Sequence, residues 1–175
     1  MLCTLGVLTA CAALIPHDYL ITQQKLTNKL QSSFPFKHDL GNGLFSVTVD
    51  MPTLGFDTEH NRVAIHSEFS AYSILSAPLH GNLTMSSALR FDADQRAIFL
   101  KEPQFDNLTI MQDDSFAELL RPAMNLVLVE FLRTNALYRF EPDELRFAGT
   151  DIDITGIDVV TDGISVKLAP RKSHL

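Results

Sequence analysis

The chain has 175 residues, a formal net charge of −7 and 46% hydrophobic residues, which predicts one domain with a sizeable apolar core. The acidic balance argues against binding nucleic acid through its phosphates, because that requires a basic surface. Cys3 and Cys11 are the only cysteines, so neither an intrachain disulfide nor a thiolate metal site is expected after Cys11.

The chain begins with a short apolar segment. Leu2 to Ile15 carries no charged residue; the segment is too short to span a membrane, but it has the length of a signal-peptide hydrophobic region. Within it, Leu8-Thr9-Ala10-Cys11 resembles the bacterial lipobox, in which the signal peptidase cuts on the N-terminal side of a cysteine that carries the lipid. The basic residues that usually precede such a hydrophobic region are missing, so a start codon further upstream is an alternative. The alternative is a buried apolar segment with a chance cysteine.

These features predict a division of the chain. We expect residues 1–10 to be a lipoprotein signal peptide, residues 11–18 to be the lipidated Cys11 and a tether, residues 19–170 to form a single domain, and residues 171–175 to be a tail. Ala12 directly follows the cysteine. An aspartate at this position would favour retention of the lipoprotein in the inner membrane. We therefore expect an outer-membrane lipoprotein that faces the periplasm.

The first predicted element of the domain is a helix from Tyr19 to Phe34. Thr22 is a suitable N-cap, and Ile21 and Leu26 are placed to form a hydrophobic staple across it. Pro35 and the Gly41-Asn42-Gly43 run end the pattern.

Alternation of apolar and polar residues then predicts four or five strands. The first begins at Leu44, is interrupted by Pro52 and continues through Leu54 and Phe56, and Asp57 to Asn61 forms a hairpin loop. The following strands are predicted at 62–75, 79–91, 96–102 and 104–111. Pro103 separates the last two, and the turn before them is 92–95.

The longest predicted element is a helix from Ser115 to Tyr138, about 36 Å long at 1.5 Å per residue. It is apolar over most of its circumference, which predicts that other structure encloses it. Pro122 lies inside the pattern, where it predicts a kink.

Strands at Leu145 to Ala148, at Thr150 to Val160 and around Ile164 to Leu168 follow, with a bulge at Gly156 and a hairpin at Asp162-Gly163. The fold class predicted is α+β. It consists of a curved antiparallel sheet wrapped around the long helix, with a second, N-terminal helix.

No motif for catalysis, a metal or a cofactor is present. The chain lacks the HExxH, P-loop and G-x-S-x-G patterns, so neither an enzyme nor a cofactor is expected. His66 and His80, on successive strands, are expected to be solvated on the outer sheet face. Asp151 and Asp153 share one face of a strand, as a solvent-facing strand requires.

The apolar surplus leaves two possibilities open. A groove between sheet and helix, lined by Phe116, Leu120, Met124, Val127 and Phe131, would suit an acyl chain. The same five residues would equally fill a dry core.

Two segments resemble the YceB-like family of Gram-negative lipoproteins, a family named for having no known function. They are Tyr19-Leu20-Ile21-Thr22-Gln23-Gln24 and Ala97-Ile98-Phe99-Leu100-Lys101-Glu102. The family is similar to half of the tubular lipid-binding fold, so the resemblance implies binding of a lipid or other apolar ligand. The alternative is a structural lipoprotein that docks another envelope protein. No catalytic residue is implied.

Overall fold

The fold is taken from a computed structural model that describes residues 16–40, 45–73, 76–111, 122 and 135–171. Most of these residues lie in strands, and the helix α1 spans Gln23–Leu30. The strands in chain order are β1 (Asp18–Thr22), β2 (Phe36–Leu40), β3 (Phe45–Val49), β4 (Thr53–Asp57), β5 (Arg62–Ser73), β6 (Ser76–Asp92), β7 (Ala97–Ile110), β8 (Tyr138–Arg139), β9 (Arg146–Phe147), β10 (Thr150–Val160) and β11 (Gly163–Pro170).

The predicted fold class, α+β with a sheet wrapped on a long helix, is wrong for the part of the chain that is described. That part consists mainly of curled antiparallel sheets, with one eight-residue helix; Pro122, the one described residue between 112 and 134, is also helical. Most of the predicted helix Ser115–Tyr138 lies outside the described residues. Its predicted last turn is not helical, because Asn135 to Leu137 are irregular and Tyr138 begins β8. Backbone hydrogen bonds hold this stretch to β7, since the Leu137 N–H donates to the Ile98 carbonyl over 2.8 Å.

The predicted first helix, Tyr19 to Phe34, is shorter than expected. Thr22 caps it as predicted, since its hydroxyl accepts a hydrogen bond from the Lys25 N–H. The residues before Thr22 form β1 instead, because they pair with β11 at the far end of the sequence. The helix ends at Leu30 and a turn follows. Ile21 and Leu26, the predicted staple pair, are both fully buried in the core.

One sheet joins the two ends of the described chain. Its strand order is β1-β11-β10-β9, and all pairs are antiparallel. The predicted bulge is confirmed, since the pairing of β10 with β11 shifts register between Ile154 and Gly156. The predicted hairpin is also confirmed, but its two-residue loop is Thr161-Asp162 and not the predicted Asp162-Gly163, because Gly163 already pairs with Val160 as the first residue of β11.

The second sheet has seven strands, with β2-β3-β5-β6-β7-β8 in order and β4 also paired to β5. β3 and β4 lie end to end along β5. The strand is therefore interrupted at Pro52 and resumes after it, as predicted. The Ser67 hydroxyl donates to the Asp50 and Glu68 carbonyls at 2.7 and 3.0 Å. It therefore satisfies backbone acceptors where the ladder is broken. β2 was not predicted.

The core lies between the inner faces of the two sheets and α1. Its largest fully buried side chains include Phe69, Leu83 and Met85. The sheets are also joined directly, because the Asn61 side-chain oxygen accepts a 2.6 Å hydrogen bond from the Val159 N–H. Within the described residues, no helix is long and apolar enough to cross a membrane.

Candidate functional site

The site residues predicted from the sequence lie outside the described part of the chain. This holds for Cys11 and the signal peptide, and for all five residues proposed to line a groove: Phe116, Leu120, Met124, Val127 and Phe131. Of the predicted tether, Asp18 already belongs to β1. At the other end, Arg171 of the predicted tail is held to β10, since its backbone N–H donates to the Asp151 carbonyl.

An apolar pocket lies between the end of α1, the sheet and the segment 135–137. It has a volume of about 30 Å³, which is about that of one water molecule. The lining comes from α1 and the segment after it, from β4 and the residue before it, from β5 and β7, and from the segment 135–137. It consists of Leu30, Phe34, Pro52, Leu54, Ile65, Leu100, Asn135, Ala136 and Leu137.

Local sequence explains most of this lining. Leu30 lies one helical turn after the buried Leu26, so both point to the same side of α1. Leu54 and Ile65 are cross-strand partners on the inner face of the sheet. Leu100 ends the run Ala97 to Leu100, which is buried at every residue.

Tyr19, Lys25, Tyr138 and Glu144 form a hydrogen-bonded cluster. The hydroxyls of Tyr19 and Tyr138 donate to Oε1 of Glu144 at 2.6 and 2.7 Å. The Lys25 ammonium donates to the Tyr19 oxygen at 2.6 Å and lies 3.9 Å from the carboxylate. The Glu141 N–H donates to Oε2 at 2.9 Å. This Tyr–Glu cluster joins β1, α1, β8 and the turn before β9.

The environment of the cluster shifts two titrations in opposite directions. Burial raises the pKa of Tyr138, and its hydrogen bond to the Glu144 carboxylate raises that pKa further. Partial burial also acts to raise the pKa of Glu144, but the hydrogen bonds from Tyr19, Tyr138 and the Glu141 amide outweigh it and leave the pKa lowered. Both shifts keep the phenol neutral and the carboxylate charged, which is the arrangement that the hydrogen bonds require.

A second ion pair lies one helical turn further along α1. The Lys29 ammonium lies 2.9 Å from Oε1 of Glu141 and 5.8 Å from the ring centroid of Tyr138. The hydrogen bond to Glu141 raises the pKa of Lys29. Lys25 and Lys29 thus face the two carboxylates across the junction between α1 and the segment after β8.

A larger, polar cleft of about 470 Å³ opens at the break between β3 and β4. Glu68 and Asn82 are cross-strand partners there, and His66 contacts the Thr84 hydroxyl at 3.1 Å. His80 pairs with Ser70 instead, so the two histidines are not cross-strand partners; both are exposed, as predicted. No group of three or more His, Cys, Asp or Glu side chains in the described ranges could hold a metal ion.

The Tyr–Glu cluster was missed by sequence reasoning. Tyr19 and Glu144 are 125 residues apart, and no local pattern marks either residue as a partner of the other. The exposed acidic pair was predicted correctly as a surface feature, since Asp153 forms an ion pair with Arg171 and Asp151 lies 3.9 Å from Arg146.

The described residues thus form antiparallel sheets with one small apolar pocket and the Tyr–Glu cluster. Residues 21–161 match the family of proteins of unknown function DUF1439, and the chain belongs to that family. No curated protein matches the chain.

Proposed function

We propose that the protein is a lipid-anchored protein of the bacterial envelope that binds a lipid or another apolar ligand, and that it is not an enzyme. The observation that carries this proposal is the apolar pocket between α1 and the sheet, whose lining among the described residues is apolar except for Asn135. Binding sites for small ligands are mostly apolar and concave, with few polar groups.

The location follows from the lipobox-like sequence. We propose that Cys11 carries the anchor and that the domain faces the periplasm from the outer membrane. Within DUF1439, we propose a relationship to the YceB-like lipoproteins, and a likeness between the curled seven-stranded sheet and that of the tubular lipid-binding proteins. The two family-like segments support this proposal, because they form β1 with the start of α1 and the buried start of β7.

The alternative is a structural lipoprotein that docks another envelope protein and carries no ligand. The small volume of the apolar pocket, about 30 Å³, favours this alternative, since it accommodates no acyl chain as it stands. The two proposals therefore differ in whether the pocket opens.

Native mass spectrometry of the protein, purified from the periplasm without detergent as a soluble form that starts after Cys11, tests the proposed function. We expect a population heavier than the chain by the mass of a lipid, and we expect organic extraction to remove it. A clean apo mass, with no uptake of added phospholipid or fatty acid, would favour the docking alternative.

Replacing Cys11 by serine is expected to move the protein from the membrane fraction to the soluble fraction, because a thioether-linked lipid cannot form on serine. The matched control is Cys3→Ser, which removes the other cysteine and should leave the membrane fraction unchanged. Fractionation of cells with an antibody to the domain measures both. Equal membrane association of the Cys11→Ser variant and the parent would refute the lipid anchor.

A further inference from the structure

We propose that the polar cleft at the break between β3 and β4 binds a small organic amine that also carries hydroxyl groups, such as an amino sugar. This inference goes beyond the proposed function, because among the described residues the cleft shares no lining residue with the apolar pocket. Three observations support it: the volume of the cleft, two carboxylates that face each other in it, and the hydrogen-bonding groups beside them.

The cleft has room for a small organic molecule. Its volume of about 470 Å³ falls within the range of about 300–1,000 Å³ that is usual for small-molecule sites. The break in the edge of the sheet creates this space, because β3 ends at Val49 and β4 begins at Thr53, while β5 and β6 run on without interruption beside the gap. Among the described residues, the lining consists of Asp50, Met51, Thr53, His66, Ser67, Glu68, Asn82, Leu83 and Thr84.

Two carboxylates face each other in the cleft. The Asp50 N–H donates to the Glu68 carbonyl at 2.9 Å, one residue beyond the cross-strand pair of Val49 and Phe69. Asp50 and Glu68 are therefore opposite each other on neighbouring segments, and both are exposed and line the cleft. The Cβ atoms of opposed residues lie about 4.5–5.5 Å apart, so like charges at such positions repel each other.

No protein cation compensates this repulsion within the described part of the chain. There, neither the Asp50 nor the Glu68 carboxylate forms an ion pair or a hydrogen bond with another side chain. An exposed acid on the other sheet differs in this respect, since Asp158 contacts the Lys167 ammonium at 2.6 Å. A protonated amine held between Asp50 and Glu68 would relieve the repulsion and donate charge-assisted hydrogen bonds to both carboxylates.

Hydrogen-bonding groups lie beside the carboxylates on the same face of the sheet. Asn82 is the cross-strand partner of Glu68, and Thr84 is that of His66. Thr53 lies opposite His66 on the other side. Positions two residues apart on a strand point to the same face, so the cleft presents an amide, an imidazole and two hydroxyl groups next to the acidic pair. An amide both donates and accepts hydrogen bonds, and these groups therefore suit the hydroxyls of a sugar ring.

The test compares sugars that differ at one ring position. Glucosamine carries an ammonium group where glucose carries a hydroxyl, and N-acetylglucosamine carries a neutral amide there. We expect glucosamine to bind the full chain with Cys11→Ser about tenfold more tightly than either neutral sugar, because only the ammonium group is attracted by both carboxylates. Ligand-observed NMR titrations at neutral pH measure the three dissociation constants.

Two isosteric variants locate the binding. Asp50→Asn and Glu68→Gln are each expected to weaken glucosamine binding about fivefold, the upper range for an exposed charge pair. Each variant also removes one member of the like-charge pair, so neither should lower the thermal unfolding midpoint. Weaker binding without a loss of stability distinguishes a binding role from a structural one.

Matched controls separate the cleft from the net charge of the protein. Asp94→Asn and Glu59→Gln make the same chemical changes at exposed residues in the turns between β6 and β7 and between β4 and β5. Neither residue belongs to the lining of the cleft. Both variants should bind glucosamine as the parent does.

The outcomes bear on this inference alone. Equal binding of glucosamine and glucose, absence of glucosamine binding, or equal weakening by Asp50→Asn and Asp94→Asn overturns it. The proposed function is tested separately, by native mass spectrometry with lipids, and stands or falls on that result. A preference for glucosamine that declines in Asp50→Asn and Glu68→Gln, but not in the two controls, supports the assignment.

Discussion

Replacing Gly163 by alanine is expected to lower the free energy of unfolding by about 2–4 kcal/mol, from overpacking and backbone strain together. Gly163 is paired with Thr22 on β1 and with Val160 on β10. A Cβ atom at this position would collide with the Ile21 carbonyl oxygen, and the backbone has φ of +154°. Backbone atoms cannot move aside as a side chain can, so β1 would be displaced from β11.

The control for this variant is Gly149→Ala. Gly149 also has a positive φ, +81°, but a Cβ there meets nothing within 4 Å. Its cost is therefore the conformational one alone, about 1 kcal/mol. Urea denaturation followed by circular dichroism gives both values. Equal losses in the two variants would mean that close approach of β1 does not constrain position 163.

Replacing Glu144 by leucine is expected to lower the free energy of unfolding by about 2–4 kcal/mol at neutral pH, because it leaves a buried tyrosine hydroxyl without its charged acceptor. Tyr138 is 2% exposed and Tyr19 is partly buried. Glu141→Leu is the matched control, since Glu141 is 61% exposed and its loss should cost less than about 1 kcal/mol. Similar values for the two variants would contradict a structural role for the Tyr–Glu cluster.

The pH dependence of this effect has a definite sign. The hydrogen bonds of the cluster hold the pKa of Glu144 below its ordinary value of 4.5. The carboxylate therefore contributes its full stabilisation above about pH 4.5, and the contribution is lost as the pH falls through the lower, folded-state pKa. We expect the difference in unfolding free energy between the parent and Glu144→Leu to shrink below that pH. Denaturation curves at pH 7 and at pH 3 measure it.

The strands were the part of the fold that the sequence predicted best. The middle of β6 alternates between buried residues such as Leu83 and Met85 and polar neighbours such as Asn82 and Thr84. This alternation arises because one face of the strand meets the core and the other meets water. The Gly156 bulge and the β10–β11 hairpin were also predicted, since glycine marks both locally.

The error in the first helix has a nonlocal cause. Tyr19 to Ile21 continue the apolar spacing of α1, but β11 offers them a strand edge, with Ile21 opposite Ile164. A pairing partner more than 140 residues away, from 21 to 164, leaves no trace in a local pattern. The same holds for Tyr138, which was assigned to the long helix. It lies instead in β8, where it pairs with Ile98 of β7.

The candidate site was beyond prediction for a related reason. The residues proposed for a groove were chosen from one segment, Phe116 to Phe131, where helical periodicity is strongest. The pocket that the structure describes draws its lining from α1, three strands and the segment 135–137. Periodicity identifies which side of an element is apolar, but it does not say which elements meet.

The pairing of β1 with β11 sets the length of the smallest fragment that can fold. The family similarity covers residues 21–161, and it therefore stops before β11 and begins inside β1. A fragment cut at those limits would lose Ile164 and Val166, both fully buried, together with the pairing partner of both β1 and β10. The unit of folding is thus longer at both ends than the unit of sequence similarity, and recombinant fragments of this protein should extend at least from Asp18 to Pro170.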